Sequence, residues 1–180
     1  YILHEGALGV FDETLREEDY DDMQDANGGL IEVTPETAGG WIGITDKYWL
    51  AALVPDQSVR INYAFKSLGG GEDRYQVDYI AAVGQLLQPG QVVASKTLLF
   101  AGAKKVSLLD RYSKEFGIPN FDLAIDFGWF YFLTKPFFLV INWLYGILGN
   151  FGVAVLGFTV IVTLIFYPLA SKSYRSMGKM

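Results

Sequence analysis

The sequence predicts a mainly β protein: a sandwich domain, then an interfacial amphipathic helix, then one transmembrane α-helix. Three observations carry that reading. Residues 1 to about 103 alternate runs rich in β-branched and aromatic residues with turn signals. No charged residue stands between Lys135 and Lys172. All 20 acidic residues of the chain precede that stretch, and only Lys172, Arg175 and Lys179 carry charge from there on.

The strand-like runs are "YILHEGALGVF", "GGWIGITDKYWLAALVP", "SVRINYAFKSL", "RYQVDYIAAVGQLL" and "QVVASKTLLFAG", with Gly69-Gly70-Gly71 and Pro89-Gly90 as tight connections. Apolar and polar residues share each run, which fits a sandwich whose inner faces form one core. "VSLLDRYSKEF" then places Leu108, Leu109, Tyr112 and Phe116 at helical spacing and predicts a short helix over 106–116, the last part of a domain spanning 1–117.

Residues 118–149 read as interfacial and apolar helices. Trp129, Phe130, Tyr131 and Trp143 crowd ahead of the span; the tryptophans and the tyrosine have an apolar body and a polar tip, which favours the headgroup layer. On a helix Asp122 and Asp126 would share one water-facing side while Leu123, Ile125, Phe127 and Phe130 dip into lipid, with Pro136 at a bend before the next segment. The whole uncharged stretch would be about 54 Å long as a helix, against a hydrocarbon core of about 30 Å, so it must be two segments. Gly149-Asn150-Phe151-Gly152 marks the break, leaving 150–170 as the spanning helix and 171–180 as the start of a cytoplasmic helical region. The basic tail places that end in the cytoplasm and the acidic bulk outside.

Composition narrows the function. A net charge of −6 and a pI near 4.7 argue against nucleic acid as a partner, and the absence of cysteine excludes disulfides and thiolate metal sites. The chain opens at Tyr1 with no initiator methionine or signal sequence, so it is expected to be an excerpt of a longer polypeptide.

Candidate sites are few. The run "DETLREEDYDDMQD" could attract cations, but an EF-hand built on Gly28 would need an acid at Met23 and a glutamate at Thr34, so a solvated acidic loop is the reading. Glu17 and Glu18 fall in that segment and are expected to lack the desolvation that acid–base catalysis needs. His4 stands alone and is expected to be a strand residue with an ordinary hydrogen bond. No phosphate loop, metal site, cofactor site or catalytic constellation is expected, and the protein is read as a non-enzyme. Within the span Thr159, Thr163 and Tyr167 recur one turn apart and form a polar stripe. That stripe either packs on helices or lines a wet groove, or the threonines bond back to carbonyls one turn earlier and carry no function.

Residues 121–180, with Tyr167-Pro168-Leu169 closing the span, closely resemble the bacterial YidC membrane-protein insertases. "GGWIGITDKYWLAALVP" and "QLLQPGQVVASKTLLFAG" are similar to the periplasmic domain of the Gram-negative members, a β-supersandwich related to sugar mutarotases. The resemblance implies an inner-membrane protein, multi-pass when intact, that inserts and folds nascent inner-membrane clients, alone or beside the Sec translocon, with lipid contacts and no cofactor. It implies a hydrated groove to which Thr159, Thr163 and Tyr167 would contribute. Thr163 stands where the family carries a basic residue, so the groove would act here mainly by hydration, or the charge would come from another helix. A membrane-tethered periplasmic docking module with no groove is the alternative.

Overall fold

The computed structural model describes residues 4–69, 73–128 and 130–177, with side chains up to residue 168 and at 171 and 172 in the last stretch. Two compact units result, Tyr1–Asp126 and Phe127–Met180.

Among the described residues the first unit holds eight strands: β1 Gly6–Phe11, β2 Thr14–Asp19, β3 Leu30–Val33, β4 Trp41–Thr45, β5 Trp49–Val54, β6 Ile61–Ser67, β7 Tyr75–Ala81 and β8 Leu98–Ala103. They form a five-stranded antiparallel sheet in the order β2-β1-β4-β5-β8 and a three-stranded one in the order β3-β6-β7. Side chains alternate across each strand, so the larger sheet has two apolar faces. Ala7, Phe11 and Ile42 meet Ile61, Tyr63 and Phe65 of the smaller sheet, the core of a sandwich, and the short helix α1 (Tyr20–Asp25) adds Met23 to it. The opposite face, with Leu8, Val10, Trp41, Leu50, Ala52 and Val54, is covered by helix α2 (Val106–Phe116) through Leu109 and by Ile118, Phe121 and Ala124. β1 is therefore buried along its whole length. At Gly9 only a hydrogen fits, because an added Cβ would lie 2.6 Å from the Trp41 carbonyl oxygen and 2.4 Å from the Phe11 ring.

Three expectations change. The run 39–55 is a hairpin of β4 and β5 turning at residues 46–48 rather than one long strand. The acidic run is ordered structure: Asp12 and Glu13 make a two-residue turn with φ of 50° and 62°, and β2 and α1 follow. A positive φ at both central residues matches the right-handed twist of the flanking strands. The Asp12 carboxylate holds the turn by accepting hydrogen bonds from the backbone N–H groups of Glu36 (2.9 Å) and Thr37 (2.7 Å) and from the Thr37 hydroxyl (2.5 Å). Thirdly, residues 118–126 belong to the β domain, which therefore ends after Asp126 rather than at 117. Residues 121–124 form a 3₁₀ turn with Phe121 and Asp122 buried, and Leu123 and Ile125 pack on the same core, so Asp122 does not face water from an interfacial helix.

The second unit is a pair of helices, α3 (Tyr131–Leu148) and α4 (Phe151–Met177). Gly149, at φ 67°, ends α3 with its N–H on the Tyr145 carbonyl, 2.8 Å away. Asn150 starts α4: its side-chain oxygen accepts from Val153 N–H at 3.2 Å. Pro136 lies inside α3 rather than between two segments, and α4 runs through Pro168 without a break before the tail.

Candidate functional site

The first unit offers little for chemistry. Among the described residues, no three His, Cys, Asp or Glu side chains converge as metal ligands. His4 precedes β1 rather than lying in it. Its Nε2 donates to the Ala7 carbonyl at 3.1 Å, and its Nδ1 lies 2.9 Å from Asp19 Oδ1. Glu17 stays exposed on the edge strand β2, yet partial desolvation holds its carboxyl above the ordinary value, with His4 opposing and Asp126 and Asp19 adding to the rise. Lys104 is depressed by burial, against the pull of Asp126, Asp46, Glu17 and Glu5. Ordered β structure makes both shifts possible, because a strand edge holds charges at fixed separations that a floppy loop would not. A cleft of about 660 Å³ lies between β8 and α2 and mixes Leu98, Phe100 and Tyr112 with Arg111 and Glu115.

In the second unit the residues expected from sequence fall on separate faces. Both helices are long and apolar enough to cross a membrane, with mean hydropathy 1.3 over Tyr131–Leu148 and 2.1 over Phe151–Pro168. They meet through small and apolar residues: Ala154 is fully buried, Leu144 packs over Gly157, and the Phe137 and Phe158 rings lie 5.1 Å apart. A small residue at such a crossing lets two backbones approach.

Thr159, Thr163 and Tyr167 lie away from that seam, and all three are exposed. Each threonine hydroxyl donates one turn back, Thr159 Oγ1 to the Val155 carbonyl at 2.9 Å and Thr163 Oγ1 to the Thr159 carbonyl at 2.7 Å. The hydrogen is thereby spent, while each hydroxyl oxygen keeps acceptor capacity.

On α3, Trp143 and Phe130 at its start are 63 % and 61 % exposed, whereas Tyr131 is half-buried. Lys135 donates to the Tyr131 hydroxyl at 3.1 Å and places its ammonium 5.5 Å from that ring's centre. Sequence reasoning missed this pair, although Tyr131 and Lys135 stand four apart, the spacing that brings side chains together on a helix. Trp129 lies outside the described residues.

Comparison with known proteins fits this anatomy. The family described as the YidC periplasmic domain matches residues 1–140. The Membrane protein insertase YidC of Rickettsia prowazekii (strain Madrid E) is 51 % identical over 183 aligned residues, covering 99 % of this chain and 31 % of the relative. The protein of the same name from Granulibacter bethesdensis is 52 % identical over 182, covering 99 % of this chain and 32 % of that relative. The chain thus spans about a third of the length of these curated relatives. A β-sandwich unit joined to an apolar helix pair, matched across both parts, places the chain in the YidC family of membrane protein insertases.

Proposed function

We propose that this chain is the portion of a membrane protein insertase that joins its periplasmic β domain to the second transmembrane helix of its membrane region. The observation that carries the reading is the 51 % identity to Membrane protein insertase YidC across 99 % of the chain. Clients are nascent inner-membrane proteins, taken alone or beside the Sec translocon, and the surrounding partner is lipid. The bulk before residue 150 is periplasmic and the tail after 170 cytoplasmic, which requires an odd number of crossings between them. The less apolar α3, with Lys135, Tyr131 and Trp143, therefore lies in the interface, and α4 spans.

Chemically, the Thr159–Thr163–Tyr167 face supports one wall of a hydrated groove. A charge carried to the centre of a bilayer on a helix costs about 2.5–3.5 kcal/mol on insertion scales, so even partial water entry beside α4 lowers the barrier for a client's polar segment. The client's own apolar helix then leaves for lipid because burial there is favourable. Thr163 contributes acceptor capacity rather than charge. In the full-length protein, Thr163→Arg is expected to speed insertion of an acidic-tailed client and Thr163→Val to slow it. Unchanged insertion in both would remove Thr163 from the groove.

A further inference from the structure

The seam between α3 and α4 and the polar face of α4 lie on opposite sides of one helix. Residues of an α-helix advance about 100° each, so Thr163, nine residues after Ala154, stands about 180° from it. Thr159 and Tyr167 fall about 40° to either side of Thr163, while Gly157 and Phe158 fall about 60° and 40° to either side of Ala154. Burial follows the same division. Ala154 is fully buried and Gly157 and Phe158 are half-buried, whereas Thr159, Thr163 and Tyr167 are exposed.

Side-chain fit holds the seam together. The Tyr145 and Phe151 rings lie 6.1 Å apart beside the turn, Leu144 covers Gly157, and the Phe137 and Phe158 rings meet at 5.1 Å and 62°. A Cβ added at Gly157 would lie 3.9 Å from Leu144 Cδ1, an ordinary contact, so a methyl group is accommodated there. A longer branched side chain would drive the helices apart.

The rotation of a helix about its own axis in a bilayer is set by the helices it packs on and by anchors at its ends. The threonines supply little of it. Both hydroxyls donate to their own helix, at 2.9 and 2.7 Å, so neither needs water to settle its hydrogen. A turn of about 100°, one residue's worth, would replace Thr163 by Val162 or Leu164 on the same bearing. Packing on the opposite side is what remains to fix it.

We propose that Ala154, Gly157 and Phe158 are positioning residues for insertion: seated against α3, they fix the rotation of α4 that turns Thr163 toward the client's path. The role rests on the hydrated-groove reading of that face, and the experiment separates the two. The chain contains no cysteine, so in the full-length protein, with any other cysteines removed, Thr163→Cys and Ile165→Cys are made singly, about 200° apart on α4. Each is reacted in membranes with a charged, water-soluble maleimide, and the ratio of the two rates reports which side of α4 meets water. Insertion of an acidic-tailed client is measured in the same seam variants without the label cysteines.

The expected native result is labelling several-fold faster at Thr163→Cys than at Ile165→Cys. Gly157→Leu should bring that ratio toward one and slow insertion several-fold. Adding Leu144→Ala, which returns the space, should restore both, and Gly157→Ala should keep the native ratio. Phe137→Ala removes the ring pair without adding volume; it should narrow the ratio in the same direction and gives the reading if Gly157→Leu fails to accumulate. A high native ratio that neither variant changes overturns the positioning role and leaves the groove in place. A narrowed ratio with undiminished insertion overturns it as well, and so does one that Leu144→Ala fails to restore, because the damage is then general rather than a matter of fit across the seam. A native ratio near one overturns the groove reading itself, and the role of the seam falls with it.

Discussion

Replacing Phe121 by alanine tests whether the segment leading to the membrane helices is built into the β domain. The Phe121 ring is fully buried and stands edge-on between two others, Trp41 at 5.2 Å and 88° and Phe100 at 5.5 Å and 90°. The Trp41 indole N–H donates to the Pro119 carbonyl at 3.0 Å, which pins the same segment from its other side. Truncating a buried phenylalanine costs about 3–5 kcal/mol, to which two edge-to-face pairs contribute about 0.5–1.5 kcal/mol each. That is a large share of the roughly 5–15 kcal/mol that holds a domain folded. With a urea slope of about 2 kcal/mol per molar, the midpoint followed by near-ultraviolet circular dichroism should fall by about 2 M. Phe130→Ala, at a ring 61 % exposed, should stay within about 0.5 kcal/mol of the native protein. An interfacial helix over 118–130 would give the reverse, with both variants loosening the membrane seat and neither touching the β domain. A Phe121→Ala loss below about 1 kcal/mol would refute the core assignment.

Other perturbations follow from single sites. Glu17 has its carboxyl raised by partial desolvation, so the folded state binds that proton more tightly than the unfolded chain does. Its contribution is most favourable below the unfolded value near about 4.3 and is lost as pH rises through the folded value. Glu17→Gln should therefore melt higher than the native protein at neutral pH, with the advantage gone by about pH 4; a variant less stable at neutral pH would contradict this. Asn150→Ala removes the cap of α4 and should cost about 1 kcal/mol of helix-pair stability, read as faster amide exchange at Val153. Gly9→Ala drives a methyl group against the Trp41 carbonyl and the Phe11 ring and should cost about 1–3 kcal/mol in the same urea titration.

How much of this fold could be read in advance varies with the local signal. The α2 helix over 106–116 was legible because Leu109 and its helical neighbours bury one face while Lys114 and Glu115 stay outside. The Gly149-Asn150 break was legible because a left-handed glycine and a capping asparagine are the residues that end one helix and begin another. The β4–β5 hairpin was not, since residues 46–48 carry no glycine or asparagine; the Thr45 hydroxyl bonded to the Trp49 carbonyl, and Asp46 Oδ1 bonded to Lys47 N–H, supply the local closure instead. β2 was hidden by its charge. An edge strand has one free side in water, so Arg16, Glu17, Glu18 and Asp19 are compatible with pairing and make the edge a poor template for other strands.

Residues 118–126 misled for a more general reason. An apolar stretch with two aspartates one turn apart fits a membrane-surface helix and a segment crossing a domain core equally well, because periodicity records which residues avoid water and not what they meet instead. Only the partner decides, and here Trp41 and Phe100 do, from strands far away in sequence. The polar stripe on α4 poses the same problem in lipid. Its spacing was readable, and so was the option of back-bonding that Thr159 and Thr163 adopt. Back-bonding does not by itself argue against a wet groove. A hydroxyl that has settled its hydrogen on its own helix costs little when lipid covers it, yet its oxygen can still accept from water where water reaches it. A face that tolerates both states is what a helix needs if it meets lipid between clients and water during insertion.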